Sequence, residues 1–124
     1  MRRKCGCQHG QGGNIHRCEE TGFSTGDFLT AVILKLLSQK PMHGYELYEK
    51  LQQVAYYPFK HDPSVIYNIL RKLEHHGIIE FKVEEGNGGL RKVYSITDNG
   101  IKYLNNLLEL INTLKESFEK FLES

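Results

Sequence analysis

The sequence lacks a hydrophobic run long enough to cross a membrane, since its longest aliphatic run, residues 31–34, ends at Lys35. It also lacks the apolar N-terminal segment that directs secretion. The formal net charge is only +1, which argues against wholesale nucleic-acid binding of the histone kind but says nothing against a local basic patch. We therefore expect a cytoplasmic, single-domain protein of 124 residues with no membrane partner.

Cysteine is absent after residue 18, and the total of three is odd, which argues against a disulfide framework. Soft or borderline metal ligands are concentrated in the glycine-rich start of the chain, at Cys5, Cys7, His9, His16 and Cys18. These side chains could close around Zn²⁺ or another soft metal ion. One residue separates the paired ligands, whereas structural zinc sites usually have about two to four. The alternative is a disordered, cationic, redox-sensitive tail.

Signatures of catalysis are also missing. The sequence contains no glycine-rich phosphate loop, no nucleophile elbow and no helical pair of histidines four residues apart. His75 and His76 are adjacent, so on a helix they point about 100° apart and are poorly placed to hold one ion. We predict that the protein is not an enzyme.

Two helices are predicted in the first half of the body. The first follows a cap at Ser24, Thr25 or Asp27 and is almost entirely apolar, which predicts a position at the centre of the core. The break at residues 38–42 contains Pro41, which stops the first helix, and a second helix is predicted over residues 43–54.

A third helix is predicted over residues 62–77, with Asp62 as N-cap, Pro63 in the first turn and Gly77 at the end. Its apolar residues recur at helical spacing and form a buried stripe: Ile66, Ile69, Leu70 and Leu73. The opposite face carries small, hydrogen-bonding or cationic residues: Ser64, Tyr67, Asn68, Arg71 and Lys72. Such a face suits a DNA major groove, and the alternative is an ordinary solvated helix surface.

Two β-strands are predicted next, over residues 78–83 and 90–96, joined by a flexible tip at residues 86–89. A two-stranded hairpin of this size must pack on the helices to be stable. Asn87, Arg91 and Lys92 would then lie together near DNA, unless they merely protect an edge strand. The order of helix, helix, helix and hairpin predicts a winged helix-turn-helix, a mainly α fold with a small β-hairpin.

The last predicted helix starts at a Thr97 cap and carries apolar residues alternating at spacings of three and four: Leu104, Leu107, Ile111, Leu114, Phe118 and Phe121. One small domain cannot cover so long a stripe, so we expect a second protomer to cover it rather than the chain itself. The predicted organisation is a Cys/His/Gly-rich tail (1–24), a DNA-binding domain (25–96) and a dimerisation helix (97–124).

Three motifs occur in order along residues 28–104: His43-Gly44-Tyr45-Glu46, Tyr67-x-x-Leu70-x-x-Leu73-Glu74-x-x-Gly77, and Tyr94-x-Ile96-Thr97-x-x-Gly100. With these motifs the chain resembles the PadR family of bacterial transcriptional regulators, in its short form with one C-terminal helix. The resemblance implies a repressor that binds a palindromic operator as a homodimer and is released by a small effector. The sequence departs from the family at Ser64-Val65, where Gly-Thr is common, and at Asn68, where Pro is common.

Each candidate residue has an expected role in a complex with double-stranded DNA. We expect Ser64 and Tyr67 to contact phosphates through their hydroxyls, and Asn68 and Arg71 to contact base edges. The remaining cations, Lys72, Arg91 and Lys92, should contact phosphates. For an effector, the expected pocket is the dimer seam near Phe28, Tyr103 and Leu107. The alternatives are a winged-helix protein-interaction module and a metal- or redox-responsive regulator acting through the N-terminal cluster.

Overall fold

A computed structural model describes residues 23–86 and 88–124. The elements in chain order are α1 (Thr25–Gln39), β1 (Met42–His43), α2 (Gly44–Gln53), α3 (Pro63–His75), β2 (Ile79–Gly86), β3 (Gly89–Ile96) and α4 (Asp98–Glu123). The predicted metal ligands Cys5, Cys7, His9, His16 and Cys18 lie outside the described residues, as does Asn87. Within the described ranges, no helix is both long and apolar enough for a membrane span.

Helix α1 forms the centre of the core, as its composition predicted. The Ser24 side chain accepts a hydrogen bond from the Asp27 amide, and Asp27 accepts one from the Ser24 amide, so the start of the helix is capped reciprocally. Ile33 and Leu34 are completely buried, and α1 packs against α4, the sheet and α2. The order of elements confirms the predicted winged helix-turn-helix fold.

The sheet has three strands rather than the two expected from the sequence. All pairings are antiparallel and the order is β1-β3-β2, so β3 is the central strand. The extra strand, β1, contains only Met42 and His43, which pair with Tyr94 and Val93. Two residues carry no periodicity that could reveal a strand. Their pairing satisfies backbone N–H and C=O groups at the edge of β3 and connects the start of α2 to the hairpin.

Helix α3 begins and ends close to the predicted residues. Asp62 is the N-cap residue, but its side chain makes no capping hydrogen bond, while Pro63 occupies the first turn as expected. Gly77 has φ +74°, and the amide of Ile78 donates a hydrogen bond to the Leu73 carbonyl. This is a Schellman ending, in which glycine avoids the cost of a left-handed conformation.

Helix α4 follows Thr97, whose hydroxyl accepts a hydrogen bond from the Gly100 amide. Its first half belongs to the core, because Tyr103, Leu104 and Leu107 are buried within the protomer. Beyond Leu107 no residue of α4 is buried. The apolar side chains of this second half are half-buried or exposed, at Leu108, Leu110, Ile111, Leu114, Phe118, Phe121 and Leu122.

Candidate nucleic-acid interface

An open groove of about 520 Å³ lies where α3, the start of α2 and the hairpin meet. Its lining residues are His43, Gly44, Tyr45, Tyr67, Arg71, Arg91, Lys92 and Tyr94. They come from three separate parts of the chain, which the β1–β3 pairing and the packing of α2 on α3 bring together. The groove therefore depends on the tertiary fold rather than on any single element.

Three cations line this groove, Arg71, Arg91 and Lys92, and no carboxylate among the described residues does so. Lys92 Nζ lies 4.3 Å from the centroid of the Phe81 ring, and this cation–π contact favours a position of the ammonium group on that face of the hairpin. Arg91 lies across the backbone of Gly86, whose missing side chain leaves room for the guanidinium. A concave surface with this charge attracts a polyanion.

The aromatic part of the groove is assembled by Gly44. A Cβ atom at this position would lie 2.3 Å from Cε1 of Tyr67, so only glycine allows the Tyr67 ring to pack against the start of α2. His43 caps the same helix, with Nδ1 accepting a hydrogen bond from the Glu46 amide at 3.3 Å. The N-terminus of α2, which carries partial positive charge, thus borders the groove.

Tyr94 forms the floor between the hairpin and α3 and is buried. Burial, followed by the charge of Glu74, raises the pKa of the Tyr94 hydroxyl above its ordinary value. A tyrosine is already neutral at physiological pH, and the raised pKa extends the range over which the Tyr94 hydroxyl stays protonated toward higher pH.

Four of the seven predicted DNA-contacting residues line the groove together: Tyr67, Arg71, Arg91 and Lys92. Ser64, Asn68 and Lys72 are exposed on α3 outside it. Reasoning from the sequence missed His43, Gly44 and Tyr45 as groove residues. These residues belong to the motif His43-Gly44-Tyr45-Glu46, which could have indicated a contribution to the groove but was used only to indicate the family.

Three helices followed by a hairpin, with a cationic groove beside the third helix, define the winged helix-turn-helix class. The chain belongs to the family described as "Transcriptional regulator PadR-like family", which it matches over residues 33–106. The members of this family are regulators, which confirms the prediction that the protein is not an enzyme.

Individual proteins and solved structures are also similar to this chain. The protein named "Transcriptional regulator YqjI" of Escherichia coli K12 is 31% identical over 112 residues, covering 90% of this chain and 51% of that protein. The chain therefore spans about half the length of this curated relative. A crystal structure from Streptococcus mutans UA159 has a TM-score of 0.71 at 27% identity, covering 80% of this chain and 90% of the other. A PadR-like transcriptional regulator from Bacillus cereus has a TM-score of 0.66 at 27% identity, with 77% and 92% covered.

Proposed function

We propose that this regulator binds a palindromic operator in double-stranded DNA as a homodimer, represses transcription and is released by a small effector. The observation that carries the DNA-binding proposal is the groove, in which Arg71, Arg91 and Lys92 converge without a carboxylate among the described lining residues. Helix α3 enters the major groove, and the hairpin and the α2 N-terminus follow the flanking phosphates. A neutral groove would instead have favoured a protein-interaction module.

Base and phosphate contacts are separable by mutation. Binding is measured by fluorescence anisotropy on the DNA upstream of the coding region and on a random duplex, at about 50 and 200 mM salt. Arg71→Ala should reduce the binding free energy for the specific duplex by about 1–3 kcal/mol and weaken the preference for particular bases. Lys92→Ala should weaken both duplexes equally and reduce the salt slope by about one. Equal losses of specific and random binding for Arg71→Ala would contradict the proposed role of Arg71.

The dimerisation proposal rests on the second half of α4. Its half-buried and exposed apolar residues share one heptad seam with the buried Leu104 and Leu107: Ile111, Leu114, Phe118 and Phe121. The seam thus continues out of the core onto an uncovered surface, which a second copy would bury. A two-fold axis at this seam would place the two α3 helices in successive major grooves on one face of the DNA, which are about 34 Å apart.

Light scattering after size-exclusion chromatography tests the dimer. Phe118→Glu, at a side chain 60% exposed in the protomer, should shift the mass from two chains toward one. Leu90→Glu is the matched control, because Leu90 is 71% exposed but lies on the hairpin, and it should leave the mass unchanged. A monomeric wild-type protein, or equal effects of the two substitutions, would rule out this seam.

Repression and its relief by an effector are tested in cells and in solution. A reporter fused to the upstream DNA should be less active when the protein is present and recover with Arg71→Ala. For the effector, the proposed pocket is the dimer seam near Phe28, Tyr103 and Leu107. Because Tyr103 and Leu107 are buried in the protomer, an effector would reach the half-buried Phe28 there, whose ring centroid lies 5.3 Å from that of Tyr57. The dye 8-anilinonaphthalene-1-sulfonate, which joins apolar aromatic rings to an anionic sulfonate, should bind there and release DNA. Identical dye binding by Phe28→Ala would reject this pocket.

A further inference from the structure

Asn68 and Arg71 are hydrogen-bonded to each other on the exposed face of α3. The Arg71 Nη2 group donates to the Asn68 Oδ1 atom, one helical turn away. Arg71 lines the cationic groove, whereas Asn68 lies outside it. The hydrogen bond therefore links a residue of the groove to a neighbour on the same helix that does not line it.

This contact limits where the guanidinium can point. A free arginine side chain samples many rotamers, and binding DNA must select one of them. The bond to Asn68 uses one of the five N–H donors and leaves the others for a ligand. Two of the remaining donors suffice for the paired contact with O6 and N7 of guanine, the commonest specific contact of arginine in the major groove.

The same bond weakens the case for Asn68 as a base-reading residue. An asparagine that specifies adenine uses both its oxygen and its NH₂ group on the base edge. In this structure the Asn68 oxygen already faces a donor of its own helix.

We propose that Asn68 is a positioning residue that holds Arg71 for a guanine at one base pair of the operator. The inference rests on the proposed operator binding and deepens it, because it assigns to two neighbouring residues a single recognition event. Asn68 itself forms no bond to a base, and its contribution to specificity passes through Arg71.

Selection of preferred sequences from a randomised DNA pool tests this proposal, with wild-type protein, Asn68→Ala, Arg71→Ala and the double variant. Arg71→Ala should lose guanine preference at one base pair, by roughly 5- to 150-fold. Asn68→Ala should reduce preference at that same base pair by roughly 3- to 10-fold, and the double variant should match Arg71→Ala. Binding to random DNA should change less than about twofold in Asn68→Ala, since no cation is lost.

Asn68→Asp provides the rescue. The aspartate keeps an acceptor for Arg71, so guanine preference should return, while its negative charge near the phosphates lowers affinity for all sequences alike. All substitutions are at exposed residues, and matching circular dichroism melts will establish that each variant is folded.

Three outcomes would overturn the proposal. Loss of preference at a different base pair in Asn68→Ala would make Asn68 a base reader in its own right. An unchanged selected sequence in Asn68→Ala would make the hydrogen bond irrelevant to specificity. Failure of the wild-type protein to select any sequence would remove the operator proposal itself, and this failure is distinguishable because it precedes any substitution.

Discussion

Replacing Gly44 with alanine would place a methyl group against the ring of Tyr67. The new Cβ would lie 2.3 Å from Cε1 and 2.9 Å from Cζ, both far inside van der Waals contact. Gly44 is the first residue of α2 and does not have a positive φ, so alanine introduces no backbone strain there. The atoms that it meets are at the far end of a partly exposed side chain. We expect the ring to move and the backbone to stay.

The expected magnitudes follow from that displacement. Alanine in place of glycine stabilises by about 0.4–1 kcal/mol through the unfolded chain. A displaced ring in a poorer rotamer costs about 0.5–1.5 kcal/mol, so the net change in unfolding free energy is within about 1 kcal/mol. The operator complex would lose the proposed contact of the Tyr67 hydroxyl with a charged phosphate, about 1.5 kcal/mol or more. That corresponds to at least about a tenfold loss of affinity.

Anisotropy titrations and thermal melts check both halves of this prediction. Gly44→Ala should melt within about 8 °C of the wild-type protein yet bind the operator about tenfold more weakly. In a Tyr67→Ala background the same substitution should change affinity no further, because the ring that it displaces is gone. An additive loss in that background, or a large drop in melting temperature, would refute the argument.

Three stability predictions follow from other contacts, each read from urea unfolding. Gly100→Ala should lower the free energy of unfolding by about 3 kcal/mol, because the new Cβ would lie 2.1 Å from the backbone oxygen of Ile78, which cannot rotate away. A urea midpoint equal to that of Gly44→Ala would contradict this. Gly77→Ala should cost about 1–2 kcal/mol at φ +74°, and Gly77→Asn less, because asparagine tolerates this conformation; equal costs would count against backbone strain. Ser24→Ala should cost about 0.5–2 kcal/mol through loss of the capping box, and no change would show that the cap is dispensable.

Much of the α-helical part of this fold was predictable because its signals are local. Pro63 and Gly77 bracket α3 through their own backbone preferences, and Thr97 caps α4 within a few residues. The apolar spacing also predicted the buried face of α3, on which Ile66, Leu70 and Leu73 are buried and Ile69 is half-buried. The PadR resemblance, carried by motifs in order, was confirmed by the match over residues 33–106.

The candidate interface was only partly predictable, because only some of its residues are indicated by local signals. The third helix and the hairpin cations stood out by residue type, yet the contribution of the α2 start did not. Gly44 and Tyr67 are far apart in sequence, and nothing near either residue indicates that one must be small to seat the other. The two-residue strand β1 escaped prediction because it exists only where β3 offers an edge to pair with.

The helices, their caps, the family and the cationic residues of α3 and the hairpin could thus be predicted from the order of residues, since each depends on neighbours along the chain. Which of these residues contact one another depends on the packing of distant elements in the folded chain. The tertiary structure joined Tyr67, Arg71, Arg91 and Lys92 in one groove and bonded Asn68 to Arg71. It also divided the apolar stripe of α4 between the protomer core and an uncovered surface, because burial is set by packing between distant elements rather than by periodicity.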